Sequence, residues 1–175
     1  MTIKEEILSK LNDTTPPTLE YVAPYSQYDN LVEVFTQNLQ NAGGKVYHHT
    51  DIDSIYPDLS CVIDTQNYEG DLELSTLEQT ELLVLYPKLA VAQNGAVWIE
   101  PSSYPKELIT LTQHIAIILD SKDIVSNMQE AYDRIDLSTL STGIFLSGPS
   151  KTADIEQALV IGAHGAVSLS LFLYA

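Results

Sequence analysis

The chain has 175 residues, of which 45% are hydrophobic and 18% charged, so it fits one globular domain with its own core. Its 24 acidic and 8 basic residues give a formal charge of −16, which repels a phosphate backbone and argues against nucleic acid as a partner. The single cysteine, Cys61, excludes an intrachain disulfide and a cysteine-ligated cluster, and no leader or membrane-spanning pattern is present. We therefore expect a cytoplasmic protein without membrane insertion.

The first 30 residues are predicted to form a unit of their own. Apolar residues at helical spacing predict a short amphipathic helix over residues 3–11, which a run of two threonines and two prolines then ends. Residues 18–30 are rich in proline and tyrosine and are typical of an extended linker. We therefore divide the chain into an N-terminal helical arm with a linker, residues 1–30, and one domain, residues 31–175. The arm packs on its own domain or docks on a partner.

The domain begins with a helix predicted over residues 31–42 and a short strand over residues 45–48. Gly43 and Gly44 follow a helix and open a strand, whereas the glycines of a dinucleotide fingerprint must follow a strand and open a helix, so the pair does not form that motif. A nicotinamide cofactor is therefore disfavoured. His48 and His49 suggest a metal ligand pair, but neighbouring strand residues point to opposite faces, so we expect no metal site there.

The middle of the chain alternates between predicted strands and helices. Gln93, Asn94 and Gly95 predict a tight turn between two strands, because Asn-Gly tolerates positive φ at both positions. A continuous apolar run over residues 115–119 indicates a central parallel strand that is covered on both faces. The remaining elements in this part are a strand end over 61–64, a helical turn followed by a strand or a loop over 77–86, the two hairpin strands 89–92 and 96–99, helices over 106–111 and 122–135, and a buried strand over 143–146. This order predicts an α/β fold with parallel strands and right-handed crossovers.

The last part of the chain is predicted as a tight loop, a helix and a final strand. Gly148 allows the sharp turn, and the helix begins at Ala153, with Asp154 and Glu156 in its first turn. His164 is then near the helix C-terminus, about 15 Å from the loop, and we interpret it as structural.

The loop offers the groups that an anion needs. Its free amides, the hydroxyls of Ser150 and Thr152 and the cation of Lys151 are able to receive a carboxylate or phosphate, although Asp154 and Glu156 add negative charge nearby. In the alternative interpretation, the same hydroxyls only cap the helix. The loop is not a Walker A motif, because no glycine directly precedes the lysine.

The segment GPSKTADIEQALVIGAHG resembles the GPS-basic-TADIE…LV-x-G-x-HG signature of the LUD domain family, lactate-utilisation proteins of the LutC type. Upstream, AVAQNGAVWI is similar to the A-x-A-E-T-G-T segment of the same family. The resemblance implies a three-layer Rossmann-like domain with a mostly parallel central sheet, akin to the CoA-transferase and sugar-phosphate isomerase folds.

The sequence departs from this pattern at one chemically important position. In the related CoA-transferases, a carboxylate precedes Asn-Gly and serves as the nucleophile, whereas Gln93 stands there in this chain and Asn94 replaces the usual threonine. An amide cannot form the acyl anhydride, so CoA transfer by this chain is disfavoured. The candidate ligand-binding residues are those of the turn and of the loop: Gln93, Asn94, Gly95, Gly148, Ser150, Lys151, Thr152, Asp154 and Glu156.

The resemblance also implies a role. We expect a non-redox component of the iron–sulfur-dependent oxidation of L-lactate to pyruvate, which binds a small anionic metabolite while its partner subunits carry the clusters and this chain carries no cofactor. Two alternatives stay open: a degenerate CoA-transferase-like enzyme acting on acyl or phosphate esters, and a structural assembly subunit. The ligand-binding hypothesis requires that the turn and the loop meet at one edge of the sheet.

Overall fold

The computed structural model describes residues 3–12, 28–48, 50–68, 74–101, 104–138, 142–155, 158–162 and 165–174. The helices are α1 (Ile3–Asn12), α2 (Leu31–Asn41), α3 (Ile52–Ile55), α4 (Leu74–Gln79), α5 (Leu108–Leu111) and α6 (Met128–Arg134). The strands are β1 (Lys45–His48), β2 (Val62–Asp64), β3 (Leu82–Leu85), β4 (Leu89–Val91), β5 (Ala96–Ile99), β6 (His114–Asp120), β7 (Ile124–Val125), β8 (Ile144–Leu146), β9 (Lys151–Ile155), β10 (Ala158–Ile161) and β11 (Ser168–Tyr174).

A five-stranded parallel sheet forms the centre of the fold, with the strand order β1-β11-β6-β3-β2. Its two longest strands, β6 and β11, pair along their whole length, from Ser168 opposite His114 to Tyr174 opposite Asp120. The apolar run that predicted a buried central strand lies in β6. The expected α/β fold with a mostly parallel sheet is therefore confirmed.

Both faces of the parallel sheet are covered, which explains why its strands are apolar on both sides. One face shares a core with α2, α4 and α5 and with a second sheet, and Leu83, Ile117 and Leu171 lie at its centre. The opposite face, with Phe172 at its centre, packs against residues of and around α3. Side chains alternate between these two cores along β3, β6 and β11, as the period of a β-strand requires.

The second sheet has four strands in the order β7-β4-β5-β8. β4 and β5 pair antiparallel around the Asn-Gly turn, with Ala90 opposite Val97, so the predicted hairpin is confirmed. Residues 144–146 form the predicted strand, but they pair antiparallel with β5 and are half-buried, so the expected buried parallel strand is wrong here. An edge strand needs only one neighbour, and the apolar run alone did not distinguish the two positions.

The prediction of a long helix over residues 122–135 is also wrong for the first half of that segment. Residues 121–123 form a 3-10 turn, whose start is capped by the Asp120 side chain, and Ile124 and Val125 then pair with β4. α6 begins only after Asn127, whose side chain accepts a hydrogen bond from the Glu130 amide. Two β-branched residues and a strong N-cap residue therefore divide the segment.

The predicted helix after Ala153 is wrong, because this part of the chain forms an antiparallel hairpin. β9 pairs with β10, with Ile161 opposite Lys151, Val160 opposite Thr152 and Ala158 opposite Ile155. The β-branched residues in these positions favour strands, whereas the helical spacing was a local pattern without a partner. Thr152 and Asp154 therefore belong to a strand, and the loop leads into β9 instead of the N-terminus of a helix. Glu156 and His164 lie outside the described residues.

The N-terminal arm is helical as expected, since α1 covers residues 3–12. The predicted linker lies mostly outside the described residues, and the division of the chain at residue 30 stays a prediction. Within the part of the chain that the structure describes, every helix is too short or too polar to cross a bilayer.

Engineered cysteines distinguish the hairpin from the helix. In a Cys61→Ser background, cysteines at positions 152 and 160 are expected to form a disulfide, because antiparallel partners have Cα atoms about 4.5–5.5 Å apart. In a helix, the same two positions would be about 12 Å apart. Oxidation followed by mass spectrometry of a non-reduced digest measures the bond.

The matched control places cysteines at positions 151 and 155. A helix brings these residues together, whereas an extended strand separates them by about 13 Å. Efficient cross-linking of the control pair, with none between positions 152 and 160, would contradict the hairpin.

Candidate functional site

The Gln93-Asn94-Gly95 turn and the loop of residues 147–150 meet at one edge of the molecule. The Ser147 hydroxyl donates a hydrogen bond of 3.1 Å to the Asn94 carbonyl oxygen. The turn joins β4 to β5, and the loop follows β8, which pairs with β5. The expected meeting of the two segments is therefore confirmed, and the binding of a ligand by them stays a prediction.

The C-terminal half of α2 holds both segments in place. A Cβ atom on Gly95 would lie 2.4 Å from the Leu39 backbone nitrogen, and one on Gly148 would lie 2.3 Å from the Ala42 carbonyl oxygen. Both glycines have positive φ, +65° and +75°, which other residues rarely adopt. The turn and the loop therefore rest directly on the α2 backbone.

Asn38 adds a side-chain connection between α2 and the turn. Its amide nitrogen donates to the carbonyl oxygens of Ala92, at 2.8 Å, and Gln93, at 3.2 Å. Because the side-chain amide supplies two N–H groups, one residue satisfies both carbonyls. Sequence reasoning did not find Asn38, since its partners are 54 and 55 residues away.

Lys151 is engaged with the end of α2. Its ammonium group donates to the carbonyl oxygen of Ala42, the C-cap residue of that helix. A cation is favourable there, because the last carbonyl groups of a helix carry partial negative charge. The lysine expected to attract an anion therefore neutralises a helix terminus in this structure.

The loop lies at the amino edge of the parallel sheet, where the N-terminal ends of its strands lie. The Ser150 amide donates to the Ala166 carbonyl, at 2.9 Å, and the Val167 amide donates to the Gln113 carbonyl, at 2.8 Å. Residues 113 and 166–167 directly precede β6 and β11. Open α/β sheets usually bind ligands beyond the carboxyl ends of their strands, and a loop after a parallel strand would be expected there. The loop is not at that edge, because the strand before it, β8, belongs to the second sheet and pairs antiparallel with β5.

A cavity of about 360 Å³ opens beside the loop. Its walls are mainly apolar, and Ser147 and Ser150 contribute hydroxyl groups. The Ser150 hydroxyl makes no hydrogen bond to any residue that the structure describes, although its backbone groups are paired with Ala166 and Gly162. The volume is within the range of small-molecule pockets.

Neither Gln93 nor Asn94 lines this cavity, and both side chains are exposed. Among the described lining residues there is no carboxylate, histidine or cysteine. In the described ranges, no group of three or more His, Cys, Asp and Glu side chains is placed to hold a metal ion. The arrangement is therefore equipped to bind a small molecule through hydroxyl and backbone groups.

Sequence reasoning did not find a polar network at the start of β6 and β11, on the face of the parallel sheet that packs against the segment around α3. His114 Nδ1 lies 2.8 Å from the Ser168 hydroxyl, and the Tyr56 hydroxyl lies 2.7 Å from that of Ser170. Nearby, the Glu81 carboxylate accepts hydrogen bonds from Ser60 and from the Cys61 amide, which hold its pKa below the usual value. These bonds satisfy polar groups under the segment around α3.

Three comparisons relate the chain to known proteins. Residues 88–174 match the model of the LUD domain. A protein from Bacillus subtilis named lactate utilization protein C is 30% identical over 60% of this chain and 47% of its own length, and its namesake from Bacillus velezensis is 30% identical over 60% and 46%. The chain thus spans about half the length of the curated relatives that it matches. A DUF162 family protein of known crystal structure from Deinococcus radiodurans has a TM-score of 0.64 and 13% identity, covering 87% of this chain and 100% of that chain, and therefore supports the fold alone.

Substitution of Gly148 tests the close approach to α2. Gly148→Ala is expected to lower the free energy of unfolding by at least about 2 kcal/mol, because alanine is strained at positive φ and its Cβ meets the Ala42 carbonyl. Ser147→Ala removes one exposed hydrogen bond and should cost no more than about 1 kcal/mol. Urea denaturation measures both, and a Gly148→Ala protein as stable as the wild type would refute the packing.

Substitution of Asn38 tests the side-chain connection. Asn38→Ala should cost about 1–2 kcal/mol, and Asn38→Asp should cost more at pH 7, because a carboxylate would face two carbonyl oxygens. That repulsion would raise the pKa of the new carboxyl in the folded state. The additional loss in the free energy of unfolding of Asn38→Asp, relative to Asn38→Ala, should therefore shrink as the pH falls.

The control is Asn41→Ala, since Asn41 lies on the same helix and its side chain accepts a hydrogen bond from the exposed Gln37 side chain. Denaturation curves at pH 7 and pH 4 compare the variants. Equal stabilities of the Asp and Ala variants of residue 38 at pH 7 would argue against the two bonds.

Proposed function

Because residues 88–174 make this chain a member of the LUD domain family, we propose that it acts in lactate utilisation and binds a small carboxylate metabolite. The naming of its curated relatives supports the role. Since the chain spans about half of their length, the proposal concerns the portion that it shares with them.

In this proposal the chain is a non-redox component, and iron–sulfur clusters belong to partner subunits. The 175 residues contain one cysteine, Cys61, which cannot supply the several thiolates that hold a cluster. Electrons from lactate oxidation would therefore pass through a partner, and this chain would contribute metabolite binding or assembly.

The observation that carries the ligand-binding part is the cavity beside the loop, together with the hydroxyl of Ser150, which has no hydrogen-bond partner among the described residues. A carboxylate oxygen placed there would accept a hydrogen bond from Ser150, and the methyl group of lactate or pyruvate would contact the apolar wall. The neighbouring Lys151 is exposed, and its interaction with the Ala42 carbonyl is one that a bound carboxylate could replace at small cost.

The composition of the site favours binding over acyl transfer. The described cavity lining lacks a carboxylate, and the amide of Gln93 stands on the exposed side of the turn. A covalent anhydride would require an acidic side chain at one of these places. The CoA-transferase-like alternative therefore gains no support from the site.

Calorimetric titration with L-lactate, pyruvate and acetyl-CoA tests the proposal. Lactate or pyruvate is expected to bind, and Ser150→Ala should weaken this binding about three- to tenfold, the equivalent of one hydrogen bond. Lys151→Gln should also weaken it, because the substitution removes the positive charge of the lysine next to the loop while keeping a similar length.

Lys106→Gln is the control, because it removes a lysine that does not line the cavity. Absence of binding by both lactate and pyruvate to the wild type would end the metabolite proposal. Undiminished binding by the Ser150 and Lys151 variants would place the metabolite elsewhere on the protein.

A further inference from the structure

A second cavity, of about 370 Å³, lies on the outer side of the four-stranded sheet, next to the end of α6. Its apolar floor consists of Leu89, Trp98 and Ile135. Its rim carries two cations and two carboxylates, from Lys88, Arg134, Glu100 and Asp136. No described residue lines both this cavity and the one beside the loop.

The indole ring of Trp98 is a fixed wall of this cavity. Its N–H group donates to Glu100 Oε1 at 2.7 Å, and its ring centroid lies 4.6 Å from that of Phe145. A Cβ atom on Gly143 would lie 2.0 Å from the indole, so the backbone there presses directly on the ring. The wall is therefore formed before any ligand arrives.

Both oxygens of the Glu100 carboxylate have partners within the protein. One of its oxygens accepts from Trp98 and the other pairs with the Lys88 ammonium, and its side chain is only 10% exposed. Removing Lys88 from a nearly buried carboxylate would be unfavourable. The Lys88–Glu100 pair therefore stays together and contributes no net charge to the rim.

Arg134 is the cation that remains available. It is the only arginine of a chain with a formal charge of −16, and it pairs with Glu130 across one helical turn, at 2.7 Å. Both side chains of this pair are substantially exposed, at 51% and 36%, and such surface pairs are weak. The guanidinium group also has further N–H donors, in a geometry that matches a carboxylate.

Asp136 limits the charge that a ligand can carry. Its own hydrogen bonds with Ser138 lower its pKa, so it is ionised at neutral pH. A second negative group on a ligand would face this carboxylate. The rim therefore accommodates at most one negative charge on a ligand, placed at Arg134, and the floor favours a short apolar body.

We propose that this cavity binds a small monocarboxylate with a short apolar body, whose carboxylate pairs with Arg134 and whose hydrocarbon part packs on Leu89, Trp98 and Ile135. The site is independent of the metabolite site proposed beside Ser150. It gives the protein a second place at which an organic acid is recognised.

The single tryptophan makes the test direct, because Trp98 lines the cavity and no other tryptophan contributes to the emission. The full chain is titrated with 3-methylbutanoate while Trp98 fluorescence is recorded. A saturable change is expected, with an apparent Kd at least tenfold higher in Arg134→Gln and an intermediate Kd in Arg134→Lys, which keeps the charge without the planar group. Far-UV circular dichroism verifies that both variants are folded.

Two further ligands separate the contributions of charge and shape. The neutral amide 3-methylbutanamide has the same body without the charge, and inorganic phosphate has charge without the body, so neither should match the carboxylate. Ser150→Ala and Lys106→Gln should leave the response unchanged, which separates this site from the loop cavity. A wild type that does not respond to 3-methylbutanoate, an equal response to the amide or to phosphate, or an undiminished response in Arg134→Gln would each overturn the proposal.

Discussion

The close approach of the α2 backbone to two glycines determines the geometry of the amino edge. Gly95 and Gly148 belong to segments that are 53 residues apart in the sequence, yet the same helix end touches both. Asn38 and Lys151 then supply side-chain hydrogen bonds to the same region. Because the helix is rigid and packs into the core through Phe35 and Leu39, the turn and the loop are held at a defined distance from each other.

Much of the fold follows from local patterns in the sequence. The apolar run in β6 predicted the central strand, and Asn-Gly predicted the β4–β5 hairpin. These predictions succeeded because each depends on a short segment and on one physical preference, burial or positive φ. The arrangement of strands into two sheets depends on distant partners, and it was not predictable in the same way.

The hairpin β9–β10 shows most clearly what a local sequence pattern does not predict. Residues 151–161 have charged and apolar residues at spacings that also suit a helix, and the pairing of Thr152 with Val160 is invisible to a local pattern. For the site, sequence reasoning identified the turn, the loop and their meeting. It missed Asn38, the interaction of Lys151 with Ala42 and the position of the cavity, because each depends on contacts between distant segments.

The position of β11 in the sheet has a consequence for biosynthesis. Among the described strands, β11 is the last in the chain, yet it lies between β1 and β6, and β1 has no other neighbour in that sheet. On a translating ribosome, β1 emerges more than a hundred residues before its partner and remains unpaired, while the flank of β6 is open to other chains. The nascent protein therefore passes through a long interval in which an unpaired strand edge is able to associate with other chains.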